Sequence, residues 1–217
     1  MKSCILWDHD GVLVDTERWY FEATRQAIAP LGIVLDQGEY LIDMAAGRSA
    51  WELARRRGAS KAEIARQQGM RDRLYQRYLM DGDIDIPGVV DVLRELSPVY
   101  RMAIVTTAKR ADFELIHQGR SIVDYMSFVL AKGDYLRSKP APDPYLTALA
   151  RFGAQPHEAI VVEDSERGLQ AAVAAGIDCV VVASAFVAAQ DLRAASYRIE
   201  SSRELPALLR GIQLGGP

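Results

Sequence analysis

Residues 4–15 read CILWDHDGVLVD. Four apolar residues predict a buried strand, and two carboxylates, Asp8 and Asp10, follow it two positions apart. Because side chains alternate along a strand, we expect both acids to point one way and His9 to point the other way. Two acids on one face repel each other unless a cation or a shared proton offsets their charge. Gly11 then allows a sharp turn, so we expect this stretch to carry chemistry.

The composition is that of an ordinary globular protein. Of the 217 residues 49% are hydrophobic and 25% are charged, and the net charge of −3 argues against a nucleic-acid partner, which would favour a basic excess. Cys4 and Cys179 lie in apolar runs and are expected to be buried free thiols. The start has too few apolar residues for a signal peptide, and no run approaches the roughly 20 that span a bilayer. We expect a soluble, cytoplasmic protein with no membrane partner, and a monomer by default.

Short apolar runs alternate with segments of helical periodicity over most of the chain. This alternation predicts an α/β fold, with a parallel sheet covered by helices on both faces. Ser165 is a candidate N-cap and Gly176 a candidate residue just beyond the end of one helix. The predicted strands are residues 3–7, 102–106, 127–131, 159–163 and 179–182, and the predicted helices between them include 89–96, 144–152 and 166–175.

The segment 18–82 interrupts this alternation. It contains no convincing strand, and apolar residues such as Leu53, Ile64 and Leu74 recur at helical spacing. A loop rich in Asp, Gly and Pro then marks the return to alternating structure. We therefore predict an α/β domain made of residues 1–17 and 83–217, with a separate helical domain over 18–82.

Polar residues end several of the predicted strands. The second strand ends at Thr106, Lys139 follows the third, and Glu163 and Asp164 end the fourth. In open parallel sheets, ligands bind outside the carboxyl ends of the strands. The sequence therefore predicts that these side chains join Asp8 and Asp10 at one edge of the sheet.

These residue types together suit phosphoryl transfer. Oxygen ligands from Asp8, Asp10 and Asp164 would hold Mg²⁺, and Asp8 would attack phosphorus to form an aspartyl-phosphate. The ammonium of Lys139 would offset the negative charge of the phosphate, and Thr106 would donate a hydrogen bond to it. Asp10 would protonate the leaving oxygen and then activate water. Each residue alone is a weak signal, and only the set predicts this chemistry.

The set resembles the haloacid dehalogenase-like hydrolases, in particular the branch of phosphatases and phosphoglucomutases with a helical cap. The first motif of that family is matched by residues 8–15, and the second by Thr106 at the end of its strand. The third motif corresponds to residues 139–142, which read KPAP, and the fourth to residues 162–165, which read VEDS. The resemblance extends over nearly the whole chain.

The resemblance implies a role for each matching residue. Asp8 would be the nucleophile and Asp10 the acid and base, while Thr106 and Lys139 would bind the phosphoryl group. The Mg²⁺ ligands would be the Asp8 side chain, the Asp10 backbone carbonyl, Asp164 and, through water, Glu163. The family also implies a Rossmann-like core with a mobile four-helix cap, whose closure excludes water and completes the substrate pocket.

The substrate implied is a small phosphomonoester, such as a sugar phosphate. Mutases of this branch usually carry a His where this chain has Tyr20, and an Arg where it has Ala50. These departures favour hydrolysis, although a β-phosphoglucomutase-type phosphotransferase remains the alternative. Tyr20 and Arg48 are the candidates for substrate contact, whereas the three histidines are expected to be structural or exposed.

Two other classes fit less well. Haloacid dehalogenation does not require a second acid such as Asp10. A signalling receiver domain combines a phosphorylated Asp with further acids, a Thr and a Lys, but it has no helical insert and no Asp-x-Asp pair on its first strand. A long-lived phosphoaspartate without turnover would favour the receiver.

Overall fold

In the computed structural model of the protein, residues 1–45, 48–184 and 190–214 are described. The chain divides into two compact units, one made of Met1–Asp15 with Asp85–Pro217 and the other of Thr16–Ile84. The boundaries between the two units lie after residues 15 and 84, each two residues from the boundaries predicted above, which lie after residues 17 and 82.

The first unit is built on a parallel sheet. In the part of the chain that the structure describes, six strands pair side by side in the order β3-β2-β1-β4-β5-β6. This order places the first strand near the middle, and the later strands are added on both sides of it, all of them parallel, as in doubly wound folds. The strands are β1 (Cys4–Trp7), β2 (Arg101–Val105), β3 (Phe128–Leu130), β4 (Ala159–Glu163), β5 (Asp178–Val182) and β6 (Tyr197–Ile199).

Helices connect these strands and make up the second unit. The second unit contains α1 (Glu17–Ile28), α2 (Gln37–Ala45), α3 (Ala50–Arg56) and α4 (Lys61–Asp81). The first unit contains α5 (Val89–Leu96), α6 (Arg110–Ile116), α7 (Asp143–Phe152), α8 (Glu166–Ala174) and α9 (Leu205–Gln213). No helix over residues 1–45, 48–184 and 190–214 is long and apolar enough to cross a membrane.

Each unit has its own apolar core. In the first, side chains of the central strands pack against α7 and α8, where Ala171 and Ala172 are small enough to be completely buried near the sheet. In the second, Phe21, Ile28, Trp51 and Ile64 belong to one buried cluster. Burial of such side chains contributes about 1.5–3 kcal/mol each to folding.

The predicted α/β fold with an inserted helical unit is confirmed. The bounds of β4 and α5 are as predicted, and Ser165 caps α8 by accepting a hydrogen bond from the Gly168 amide at 3.1 Å. Gly176, beyond the end of α8, has a positive φ of 72°. The short edge strand β6 was not predicted, because its central residue is Arg198 and three residues show no usable alternation.

Candidate active site

The site is built on the three central strands of the sheet. Trp7, the last residue of β1, is level with Ile104 of β2 and Val162 of β4. The residues just beyond this level therefore meet at one edge. The Asp8 amide donates to the Val162 carbonyl at 2.8 Å, which continues the pairing one residue past β1 and places Asp8 beside the end of β4.

Lys139 links the ends of these strands. Its ammonium donates to Asp8 Oδ1 at 2.5 Å, to Glu163 Oε1 at 2.7 Å and to the Val105 carbonyl at 2.9 Å. An ammonium has three hydrogens, and these contacts account for all of them. Burial alone would lower the pKa of Lys139, but the two carboxylates outweigh burial and hold that pKa above its ordinary value. Lys139 is therefore a fixed positive charge beside Asp8.

Glu163 helps to hold Lys139 in place, because it accepts one of the hydrogen bonds of the ammonium. It is fully buried, and its Oε1 also accepts the Tyr145 hydroxyl at 2.8 Å. Its Oε2 accepts the Ser165 hydroxyl at 3.0 Å and the backbone amide of Asp164 at 3.2 Å. Both oxygens are thus engaged by protein donors. The sequence did not point to Tyr145, because it lies on α7 and reaches Glu163 only through the tertiary fold.

Asp164 is brought close to the turn after β1. Gly11 has a φ of 80°, and a Cβ atom at this position would lie 1.9 Å from Asp164 Oδ2. The glycine therefore serves both the turn and the close approach of the carboxylate. The same oxygen accepts the Ser184 hydroxyl at 3.3 Å.

Three carboxylates converge at this edge. Asp8, Glu163 and Asp164 each offer an oxygen, and these oxygens lie within 4.8 Å of one another. Burial, and next the Glu163 carboxylate, raise the pKa of Asp8 to about 7. The Lys139 ammonium balances only one of the three charges. Hard oxygen donors with excess negative charge fit a small divalent cation, so the residues present fit Mg²⁺.

Thr106 follows β2 directly and is completely buried. Its hydroxyl oxygen accepts the Ala108 amide at 3.0 Å, which leaves the hydroxyl hydrogen as a donor. Its own carbonyl accepts the Tyr135 hydroxyl at 2.7 Å. These contacts fix the residue at the strand end where it was predicted.

Asp10 lies outside the strand, and its expected roles as acid, base and metal ligand stay predictions. The strand ends at Trp7, so the alternation that would have put Asp8 and Asp10 on one face does not extend to them. Asp10 instead forms an isolated bridge with Val14, and its carboxylate is not a member of the three-carboxylate group. Its Oδ2 lies 3.3 Å from Nδ1 of His9.

His9 Nδ1 therefore lies beside the Asp10 carboxylate rather than pointing away from both acids, while its complete burial fits the expectation that the histidines are structural or exposed. His9 is completely buried, and its Nε2 lies 2.9 Å from Nε2 of His117. The pairing was missed because it depends on α6, which presents His117 at its C-terminal end, more than 100 residues along the chain.

Tyr20 and Arg48 lie in the helical unit. The Tyr20 hydroxyl accepts from the buried Arg71 guanidinium at 2.5 Å, and that guanidinium also lies over the Tyr20 ring at 4.6 Å from its centroid. Arg48 is exposed and pairs with Asp43 at 2.7 Å. The substrate contacts expected of Tyr20 and Arg48 remain predictions, and sequence reasoning did not single out Arg71.

Comparison with known proteins identifies the family. The family model "Haloacid dehalogenase-like hydrolase" matches residues 5–182. The chain belongs to the haloacid dehalogenase-like hydrolases. Protein CbbY of Cereibacter sphaeroides is 30% identical over 100% of this chain and 99% of its own length. Fructose-1-phosphate phosphatase YqaB of Escherichia coli is 29% identical over 82% of this chain and 95% of its own length.

Solved structures agree with this family. CbbY from Rhodobacter sphaeroides in complex with phosphate superposes with a TM-score of 0.79 at 26% identity, over 94% of this chain and 96% of that one. A CbbY mutant from the same organism, in complex with xylulose-1,5-bisphosphate, gives 0.80 at 25% identity with the same coverage. As a member of the haloacid dehalogenase-like hydrolases with named phosphatases among its relatives, the protein is a phosphoric monoester hydrolase.

Proposed function

We propose that this protein is a Mg²⁺-dependent phosphatase that hydrolyses a small sugar phosphate through a phosphoryl group carried by Asp8. The observation that carries the proposal is the position of Asp8, which lies 2.5 Å from the Lys139 ammonium and within a group of three converging carboxylates. A carboxylate nucleophile needs such charge balance before it can approach an anionic phosphate.

In the first step, an Asp8 oxygen forms a bond to phosphorus and the bond from phosphorus to the sugar oxygen breaks. Asp10 donates its proton to that leaving oxygen. As the Asp8 oxygen bonds to phosphorus, the Lys139 hydrogen that it accepted turns to the phosphoryl oxygens, to which the Thr106 hydroxyl also donates, and both groups offset the negative charge on these oxygens. Asp8 is left carrying the phosphoryl group as an acyl phosphate, and the sugar leaves as an alcohol.

In the second step, water attacks the phosphorus. Asp10, now ionised, takes a proton from the water, and the bond between phosphorus and the Asp8 oxygen breaks. Inorganic phosphate leaves, and both acids return to their starting state. Removing Asp8 should therefore prevent the first step, whereas removing Asp10 should slow both steps.

Mg²⁺ would be held by the Asp8 and Asp164 side chains and the Asp10 backbone carbonyl, with Glu163 acting through water. When bound, the ion offsets the negative charge that collects between the nucleophile and the phosphate. The burial of Glu163 and the saturation of its oxygens by protein donors support an indirect role for this residue.

A sugar phosphate is proposed because of two relatives. One of them is named a fructose-1-phosphate phosphatase, and a CbbY structure holds xylulose-1,5-bisphosphate. The helical unit would supply the contacts to the sugar through Tyr20 and Arg48, and its movement would exclude water during the first step.

Phosphate release from a panel of sugar phosphates tests the proposal. The panel includes fructose 1-phosphate, xylulose 1,5-bisphosphate and β-glucose 1-phosphate, each assayed with Mg²⁺ and with EDTA. We expect Mg²⁺-dependent release from at least one member and none above background with Asp8→Asn. Turnover that persists in EDTA would overturn the metal requirement, and bisphosphate-primed interconversion of hexose phosphates without net release would favour the mutase.

A further inference from the structure

His9 lies between the two acids and is packed on all sides. Its ring is completely buried, with the Phe113 ring centroid 4.9 Å away and the His117 ring centroid 5.1 Å away. Phe113 and His117 are themselves in contact, with ring centroids 4.4 Å apart. Because α6 supplies Phe113 and ends just before His117, the helix holds both rings against His9.

Two short contacts join three polar side chains in a row. Oδ2 of Asp10 lies 3.3 Å from His9 Nδ1, and His9 Nε2 lies 2.9 Å from His117 Nε2. The remaining nitrogen of this row, His117 Nδ1, is buried and has no hydrogen-bond partner among the residues that the structure describes. The row therefore has a carboxylate at one end and a buried ring nitrogen at the other.

The hydrogens available on the ring nitrogens decide which atom donates and which atom accepts in each hydrogen bond of this row. The ionised Asp10 that activates water only accepts hydrogen bonds, and in the protonated acid that acts in the first step the proton to be transferred lies on the other oxygen, so in both states His9 Nδ1 carries the hydrogen between them. In that tautomer the Nε2 of His9 is bare, and His117 donates to it from its own Nε2. His117 Nδ1 is then a bare nitrogen, which suits its buried position better than an N–H group without an acceptor.

The reverse direction is unfavourable at both ends. It would place a bare His9 nitrogen against the Asp10 carboxylate, and it would bury an unpaired N–H at His117 Nδ1. Burial, and next the neighbouring His9, lower the pKa of His117 to about 3, so His117 carries a single N–H at neutral pH.

We propose that His117 and His9 are positioning residues for Asp10, in which His117 Nε2–H donates to His9 Nε2 and His9 Nδ1–H donates to the Asp10 carboxylate. This inference rests on the acid and base role of Asp10 in the proposed function. The two rings hold one Asp10 oxygen in place, and this fixes the orientation in which the carboxylate meets the leaving oxygen and the water.

Nitrogen NMR of the whole protein tests the direction of the hydrogen bonds. The chain has only three histidines, so two-bond ¹H–¹⁵N spectra of protein labelled at the imidazole nitrogens contain three spin systems. His157→Gln and His117→Phe assign them. We expect the Nδ1–H form for His9 and the Nε2–H form for His117. An Nε2–H or doubly protonated His9 would overturn the proposal, and this readout needs no enzymatic activity.

Kinetics test the effect on Asp10. In His117→Phe the ring remains but the donor is lost, and we expect kcat to fall about tenfold with KM unchanged, the rate equivalent of one hydrogen bond. In His117→Gln an amide N–H can donate to His9, so most of kcat should return. His157→Gln, on an exposed residue, is the matched control.

Equal losses in His117→Phe and His117→Gln, or an unchanged kcat in His117→Phe, would overturn the positioning role. If His117→Phe fails to fold, the tautomers of His9 and His117 in the unmodified protein still show whether His9 donates to Asp10. If the unmodified protein releases no phosphate from any substrate, the proposed function fails, whereas the spectra still report whether His9 donates to Asp10.

Discussion

At the scale of the residue, charge balance around Asp8 governs the site. Asp8, Glu163 and Asp164 are three acids in close reach of one another, and the described contacts of Lys139 join it to two of them. Removing one partner of a buried ion pair leaves an uncompensated charge, which costs more free energy than replacing both partners by apolar residues. Lys139 is therefore as much a structural residue as a candidate for binding phosphate.

Lys139→Met should destabilise the protein. Methionine keeps much of the side-chain volume but leaves Asp8 and Glu163 without their shared cation, and loss of one partner of a buried pair costs about 3–5 kcal/mol. Denaturant unfolding of the metal-free protein at neutral pH measures this cost. Lys132→Met, at an exposed lysine, is the control and should change the free energy of unfolding by less than about 0.5 kcal/mol. Equal stability of the two variants would contradict the account.

The affinity for Mg²⁺ should fall as the pH is lowered. Burial and Glu163 raise the pKa of Asp8 to about 7, so a proton competes with the metal below that pH. Asp8 is mostly ionised at about pH 8 and mostly protonated at about pH 6, which weakens the apparent affinity about tenfold over this range. Titration calorimetry at several pH values measures this apparent affinity for Mg²⁺. In Asp8→Asn the affinity should be weaker and should lose this dependence, and a pH-independent affinity in the unmodified protein would show that Asp8 is not a ligand.

At the scale of the element, the approach of α8 to the end of β4 decides where Glu163 lies. A Cβ atom at Gly168 would lie 1.7 Å from Glu163 Oε1 and 2.2 Å from Oε2. The carboxylate cannot simply move aside, because Tyr145, Lys139 and Ser165 all donate to it. The glycine in α8 is therefore required by packing rather than by its backbone angles.

Gly168→Ala should lower both stability and activity. The substitution displaces Glu163 and with it the Lys139 ammonium, and overpacking of this kind costs about 1–3 kcal/mol. Gly69→Ala, inside α4, is the matched control, since its Cβ would lie 3.7 Å from Arg73 Nη1, at ordinary contact distance. In that helix alanine should stabilise the protein by about 0.5–1 kcal/mol. Thermal or denaturant unfolding of both variants measures the contrast, and a stabilised Gly168→Ala would refute this packing argument.

Sequence patterns predicted the elements with regular periodicity and missed contacts made by the tertiary fold. The apolar runs before Asp8 and Asp164 are buried central strands, so their ends were predictable. The end of β1 at Trp7 was predicted as well, whereas the path of residues 8–10, which brings the Asp10 carboxylate to His9, was not, because the alternation of a strand does not extend beyond its end. The contacts of Tyr145 and His117 were also beyond reach, since each joins helix residues to a strand end far away in the sequence.

At the scale of the whole molecule, two units with separate cores divide the proposed tasks. The α/β unit contains the charged groups that would act on the phosphate, and the helical unit contains the two candidates for substrate choice. The departures from the mutase pattern at Tyr20 and Ala50 both lie in the helical unit. We therefore expect substitutions there to change which sugar phosphate is accepted more than they change the chemistry.

Arg48→Ala tests this division. Arg48 is exposed and paired with Asp43, and an exposed pair contributes only about 0.2–1 kcal/mol, so stability should hardly change. If Arg48 contacts the substrate, KM for the preferred sugar phosphate should rise while kcat changes little. Arg94→Ala removes a similar exposed pair with Asp91 in α5 and is the control for an effect of charge alone. The same KM in both variants would remove Arg48 from the substrate site.

The central claim is that Asp8 carries the phosphoryl group. Its most direct test is a single-turnover reaction with excess enzyme, quenched over time, reduced with borohydride and analysed by peptide mass spectrometry. Borohydride converts an aspartyl-phosphate to homoserine, so the modified residue is identified by its mass. We predict homoserine at position 8, rising and then falling as phosphate is released. Consumption of the substrate with position 8 unmodified throughout, or with the modification at another residue, would contradict the account.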